Sequence, residues 1–268
     1  MRWAIGLAAT STLIQPAAAQ NIPTAPASVV TSNGGWEIEY DSWRCVLHRK
    51  LIANGAPARF EMILEPLEPT VWLHMTIAGG GGARNDGDAV MTIDGQRVPG
   101  TLHYNLKPDK NERRREYMLN LDRHKLSDVK RTMRFWTRRA GDFELQLGGF
   151  PAAWKRTQAC LSDLYVKLGI DEAEVAKIAT KPEGFLFDTV EYPGGEADFA
   201  LLYWITAEGR VDKCEMLKQS GDPRVDKLCD KIIAKAKFKP ARTSTGQPIR
   251  APKFEHVRIR VTTVMTPG

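Results

Sequence analysis

VDKCEMLKQSGDPRVDKLCDKIIAKAKFKPARTSTGQPI, Val211 to Ile249, places one cysteine in a strand-like run and a second on the apolar stripe of a helix. Asp222 is suited to cap free helix amides, and Pro223 is preset for the first helical position. Behind them Val225, Leu228, Cys229, Ile232, Ile233 and Ala236 fall on one stripe at helical spacing. Cys229 is therefore expected to look at a sheet. ADFALLYWITAEG before the stretch reads as strand and turn, RVDKCEMLKQ as the returning strand, and KFEHVRIRVTTV after it as a last strand. The order is ββαβ. Cys214 and Cys229 could be metal ligands, a reactive pair or a covalent staple, and the compartment decides between these.

The first twenty residues, MRWAIGLAATSTLIQPAAAQ, combine Arg2, an apolar run from Trp3 to Ile14, a break at Pro16 and three small residues, Ala17 to Ala19. This is the pattern of a cleaved signal peptide, with cleavage expected after Ala19 or Gln20. The apolar run is shorter than the ~20 residues that span a bilayer, and no later segment comes closer. An exported chain with an even set of cysteines, Cys45, Cys160, Cys214 and Cys229, is expected to form disulfides. Three pairings exist on paper, and position along the chain favours Cys45 with Cys160 and Cys214 with Cys229. The second pair would close a short loop worth roughly 3 kcal/mol in the chain-entropy model. A redox pair would sit as C-x-x-C, and a zinc site needs two further ligands where His256 is the only histidine of this half.

Residues 21–35 read as a flexible segment, 36–170 as a mainly β domain with a closing helix, 171–184 as a polar linker and 185–268 as a second, smaller domain. The fold class is α+β. The first domain is expected to be antiparallel and β-sandwich-like, since SWRCVLHRKLI, ARFEMILE, TVWLHMTIA, AVMTI, TMRFWTR and DFELQLG are short runs separated by turn signals. In FPAAWKRTQACLSDLYVKLGI, Ala153, Trp154, Thr157, Cys160, Leu161, Leu164 and Leu168 share a helical face and Gly169 is the expected stop. Cys160 thus faces inward, where an early strand can present Cys45.

Ser220-Gly221, Asp226 and the run KFKPARTSTGQPI, with Phe238, Pro240, Ala241, Gly246 and Pro248, resemble the C-terminal domain of the TonB energy-transducer family over roughly 189–263. Tyr192-Pro193 resembles the Tyr-Pro that opens such domains. Val225 departs from the usual Leu before the Asp. The resemblance implies a small ββαβ domain that pairs its sheet edge with an extended peptide of an outer-membrane transporter by β-augmentation. The family's membrane helix and Pro-rich spacer have no counterpart here, so energy transduction by this chain alone is not expected. The first half more faintly resembles exported β-sandwich proteins of the invasion-associated locus B type, chiefly through WRCVLHRKL.

The last strand is the expected partner-binding edge, and His256, Arg258 and Arg260 alternate along it, a pattern that also guards an edge against aggregation. The net charge of +6 and pI near 9.1 weakly favour anionic envelope surfaces as partners. The basic segment Lys107 to Arg139, with Arg113 to Arg115, is where such contact would fall. Export argues against nucleic acid. Gly79 to Gly82 lack the Lys-Ser/Thr of a phosphate loop, Asp86, Asp88 and Asp94 lack calcium-loop spacing, and Ser220 sits in no nucleophile elbow. The five histidines are scattered in sequence. No catalytic residue, metal site or cofactor is expected, and the chain reads as a non-enzymatic periplasmic binding or accessory protein; the alternative is an envelope-structural or polyanion- or lipid-surface-binding protein in which the first domain acts and the second is scaffold.

Overall fold

A computed structural model describes residues 28–53, 55–78, 85–88, 90–98, 101–105, 114–137, 141–184, 186–188 and 196–259. The leader, Gly79 to Gly82, Arg113, Arg138, Arg139, Tyr192, Pro193 and Arg260 lie outside these residues.

The first sheet grows from a meander. β2 (Glu37–Tyr40), β3 (Cys45–Ala53), β4 (Ala56–Leu64) and β5 (Thr70–Ala78) pair antiparallel in sequence order. Alternate residues Leu47, Leu51, Phe60, Met62, Leu73 and Met75 are buried, as a half-wet strand requires. β6 (Asn85–Asp88) and β7 (Val90–Ile93) pair with β9 (Thr101–Asn105) and β8 (Gln96–Val98) in one continuous register around Asp94-Gly95. The β6–β7 arm also pairs with β11 (Thr132–Thr137), and the β8–β9 arm with β10 (Arg114–Asp122). β11 continues through β12 (Gly141–Gln146) and β1 (Ser28–Ser32) back to β3. The path of pairing therefore returns on itself.

Mixed α+β character is correct, and the sandwich expectation is replaced by one curled sheet, because the 85–105 hairpin joins what would have been two open edges. Ser28–Ser32 form a strand held by both neighbours, with β12 in parallel, rather than a flexible segment. The middle of the basic segment is β10, where Tyr117, Leu119 and Leu121 are core residues.

α1 (Phe150–Leu168) closes the sheet and ends at Gly169, whose φ of 66° is the left-handed cap that favours glycine. Its buried face carries every residue expected there, including Cys160, which is bonded to Cys45 across 6.3 Å between Cα atoms.

The second sheet has the order β14 (Val211–Lys218), β13 (Ala197–Ile205), β17 (Ala251–Ile259), all antiparallel. The expected single helix is two, α3 (Pro223–Asp226) and α4 (Leu228–Lys235), broken at Lys227. Val225, Leu228, Ile232 and Ala236 are buried, Cys229 is half-buried and bonded to Cys214, and Ile233 is 46% exposed. The apolar stripe is thus one residue narrower than its sequence pattern.

β13 is buried on both faces. Phe199, Leu201, Tyr203 and Ile205 join a core with Val225, Leu228 and Ile232. Ala200, Leu202 and Trp204, with Phe254, join the core of the first sheet. The connection 171–184 is docked too. α2 (Glu172–Val175) lies beside β17, and residues Thr180 and Glu183 bridge to Arg242 and Lys239 through paired main-chain bonds.

Candidate functional site

The alternation along β17 places Phe254, His256 and Arg258 on the face turned to the first sheet. Trp43 stacks on Phe254 at 6.2 Å between ring centres and lies 4.6 Å from the His256 ring, with Arg44 over its own face at 4.5 Å. His256 Nδ1 is 2.9 Å from Glu65 Oε1, and Nε2 is 2.9 Å from Asp198 Oδ1. Carboxylate oxygens only accept, so both bonds form together only when both ring nitrogens carry hydrogen. Asp198 also binds Lys218 at 2.7 Å and Arg258 at 3.3 Å. Burial pushes the Asp198 carboxyl up, but hydrogen bonds from Lys218 and His256 and the charge of Arg258 outweigh it and hold it at about 2. His256 therefore joins the two sheets, and Arg258 ties β17 to β13 through Asp198, roles their sequence alternation does not reveal.

Nearby, Lys181 Nζ donates to Leu67 O at 2.6 Å and Lys253 Nζ to Gly184 O. Burial pushes the Glu68 carboxyl up, with Glu65 and Glu255 adding to it against Lys181 and Lys253. These ties gather around the first half of β17. Among the described residues β17 pairs as a strand only with β13, so its other edge is the end of the sheet.

The motif residues of the second half build turns. Asp226 Oδ1 accepts from Ser220 N at 2.9 Å and from Ser220 Oγ at 3.1 Å, and Ser220 Oγ accepts from Asp222 N at 3.0 Å. Gly221 between them has φ of 83°, which a side chain rarely adopts. Asp222 caps α3 by accepting from Arg224 N at 2.9 Å, and the Arg224 side chain holds its carboxyl down at about 2. Phe238 packs on Tyr203 at 5.4 Å. Ala241 opens β15 (Ala241–Arg242), which pairs with β16 (Pro248–Ile249) around a turn closed by Gly246 N to Thr243 O. Pro240 lies against Gly209, a residue outside the motif. There a Cβ would stand 2.1 Å from Phe238 O, so only glycine fits.

Register also brings together histidines that are far apart in sequence. Glu37, His48, Glu61, His74, Met118, His103 and Asp86 are successive directly opposed partners across β2, β3, β4, β5, β10, β9 and β6. His48 Nε2 is 3.8 Å from Glu37, and His74 Nδ1 is 3.2 Å from Glu61. The His74 hydrogen bond holds the Glu61 carboxyl down against its burial, and Arg59 at 2.6 Å adds to this. Among the described residues no three His, Cys, Asp or Glu side chains come together as a metal cluster. Asp94 stands apart from Asp86 and Asp88, at the hairpin turn. Its carboxylate accepts from the main-chain N–H groups of Lys130, Arg131 and Thr132 at 2.6 to 3.0 Å.

The class that this fold defines is a strand-rich α+β protein with a curled sheet and two disulfides. No helix among the described residues is long and apolar enough to cross a membrane. Comparison with protein-family models, curated proteins and solved structures found no match for the chain.

Proposed function

We propose that this chain is an exported, periplasmic, non-enzymatic binding or accessory protein. Its second sheet acts as a TonB C-terminal-like module. An extended peptide, of the kind an outer-membrane transporter presents, adds to the outer edge of β17 as a further strand. One observation carries the reading. Both faces of β13 are covered, β14 is tied to α4 by Cys214–Cys229, and β17 ends the sheet. Because Gly184 lies against Lys253 near the beginning of β17, docking is expected on His256 to Ile259 rather than on Ala251 to Lys253.

The two disulfides fit an oxidising compartment, and the likeness of Ser220-Gly221, Asp226 and the Phe238 to Pro248 run supports the family reading. The test is calorimetric titration of the full chain with synthetic transporter peptides. Arg258→Pro and Ile259→Pro are compared with the parent, since successive amides of a strand point to opposite edges and one of the two must remove an outward donor. Loss of binding in one variant supports edge addition. Equal binding by both, or none by the parent, contradicts it.

A further inference from the structure

Gln158, Leu161, Ser162 and Tyr165 recur at the spacing that puts them on one face of α1. Gly169 ends that helix, and Asp171 starts α2 by accepting from Ala173 N at 2.8 Å. α2 comes back to the same face, where Glu172 Oε1 accepts from Ser162 Oγ at 3.1 Å. A third wall is the 3-10 turn Arg123–Asp128, fixed at its start by Asp122, which accepts from His124 N at 2.9 Å. The three pieces enclose a cleft of about 530 Å³, within the range of roughly 300–1,000 Å³ that small-molecule sites occupy.

The lining carries unlike charges that are left uncompensated. The 3-10 turn contributes Arg123 and His124, and α1 adds the Gln158 amide; none of these side chains has a hydrogen bond or ion pair among the described residues. α2 contributes the Glu172 carboxylate, whose described side-chain partner is only the neutral Ser162 hydroxyl. Arg123 and Glu172 line one cleft and yet form no ion pair with each other. The apolar part of the lining is firm, because Leu161 and Tyr165 are buried and Val175 packs on the core of the first sheet. A plain anion here would meet the charge of Glu172, and a plain cation that of Arg123. A molecule bearing both charges satisfies both walls.

We propose that this cleft binds a small zwitterion with an apolar body, an apolar amino acid or dipeptide. Arg123 takes its carboxylate, since the guanidinium fork matches a carboxylate in two parallel bonds. Glu172, oriented by Ser162, takes its ammonium group, and Leu161, Tyr165 and Val175 receive its side chain. The site goes beyond peptide docking at β17, and each stands or falls separately.

The test is an NMR titration of the full, disulfide-bonded chain, labelled with nitrogen-15, with L-leucine, L-phenylalanine and leucyl-leucine. The expected result is saturable shifts of amides in α1, α2 and the 3-10 turn, and the tightest of the three ligands tells an amino acid site from a dipeptide site. The N-acetyl and C-terminal amide forms of that ligand are each expected to bind at least tenfold more weakly. Arg123→Gln and Glu172→Gln are expected to weaken the uncapped ligand at least tenfold. The capped ligands need no change in the protein, so they remain decisive if a variant fails to fold. No saturable shift with any of the three ligands, equal affinity for a capped form, or parental affinity in either folded variant overturns the site. Shifts confined to β17 also overturn it, and assign the ligand to the sheet edge.

Discussion

His256 Nδ1 lies 2.9 Å from Glu65 Oε1, so a side chain of the last described strand is bonded to a carboxylate that follows β4 of the first sheet, 191 residues earlier. The same ring reaches Asp198 at 2.9 Å and packs on Trp43. Glutamine in place of His256 cannot donate in both directions with the same rigid geometry and loses the ring contact. His256→Gln is expected to lower the unfolding free energy by about 1–3 kcal/mol, read from urea denaturation. Since β13 contributes to both cores, the transition should remain single for the parent chain.

Asp198 and Asp222 are each held at about 2, below the ordinary value of 3.8. A carboxyl held low in the folded state contributes stability above its unfolded value. That contribution is lost as pH falls from about 4 toward 2. Thermal melts across this window should show a steep loss for the parent and a shallower one for Asp198→Asn combined with Asp222→Asn. A pH profile of the same slope in both would show that these groups do not carry it.

The two disulfides close loops of very different length, with sequence separations of 115 and 15. In the chain-entropy model the longer is worth about 5 kcal/mol and the shorter about 3 kcal/mol. Cys45→Ala with Cys160→Ala should therefore destabilise more than Cys214→Ala with Cys229→Ala. Denaturant midpoints and slopes of the two double variants check the order.

Asp94 joins the 85–105 hairpin to the start of β11 through three main-chain donors, and its φ of 45° suits Asp or Asn better than Ala. Asp94→Ala is expected to cost about 1–3 kcal/mol, and Asp94→Asn less, because Asn keeps an acceptor and tolerates the backbone. Equal losses would place the effect in the charge alone.

Local periodicity was enough to read α1, its Gly169 stop and its inward Cys160, and also the ββαβ order that leaves β17 at the end of its sheet. It was misleading where one pattern carries two meanings. ADFALLYWI is apolar throughout because both faces of β13 are covered, as in strands buried on two sides, and read alone it hides the docking of the two sheets. β10 was obscured by Arg113 to Arg115, although Tyr117, Leu119 and Leu121 alternate behind them. The row from Glu37 to Asp86 is invisible in sequence because register between distant strands sets it, so histidines at positions 48, 74 and 103 look scattered. Gly209 carries no local signal, since its need for a bare Cα comes from Phe238 O across the turn.

Edge addition at β17 is tested most directly by amide hydrogen exchange of the full chain, followed by NMR with and without a transporter peptide. The result predicted is new protection at alternate amides between His256 and Ile259, absent when the peptide is N-methylated at alternate residues. Protection that appears only elsewhere, or survives N-methylation unchanged, would contradict it.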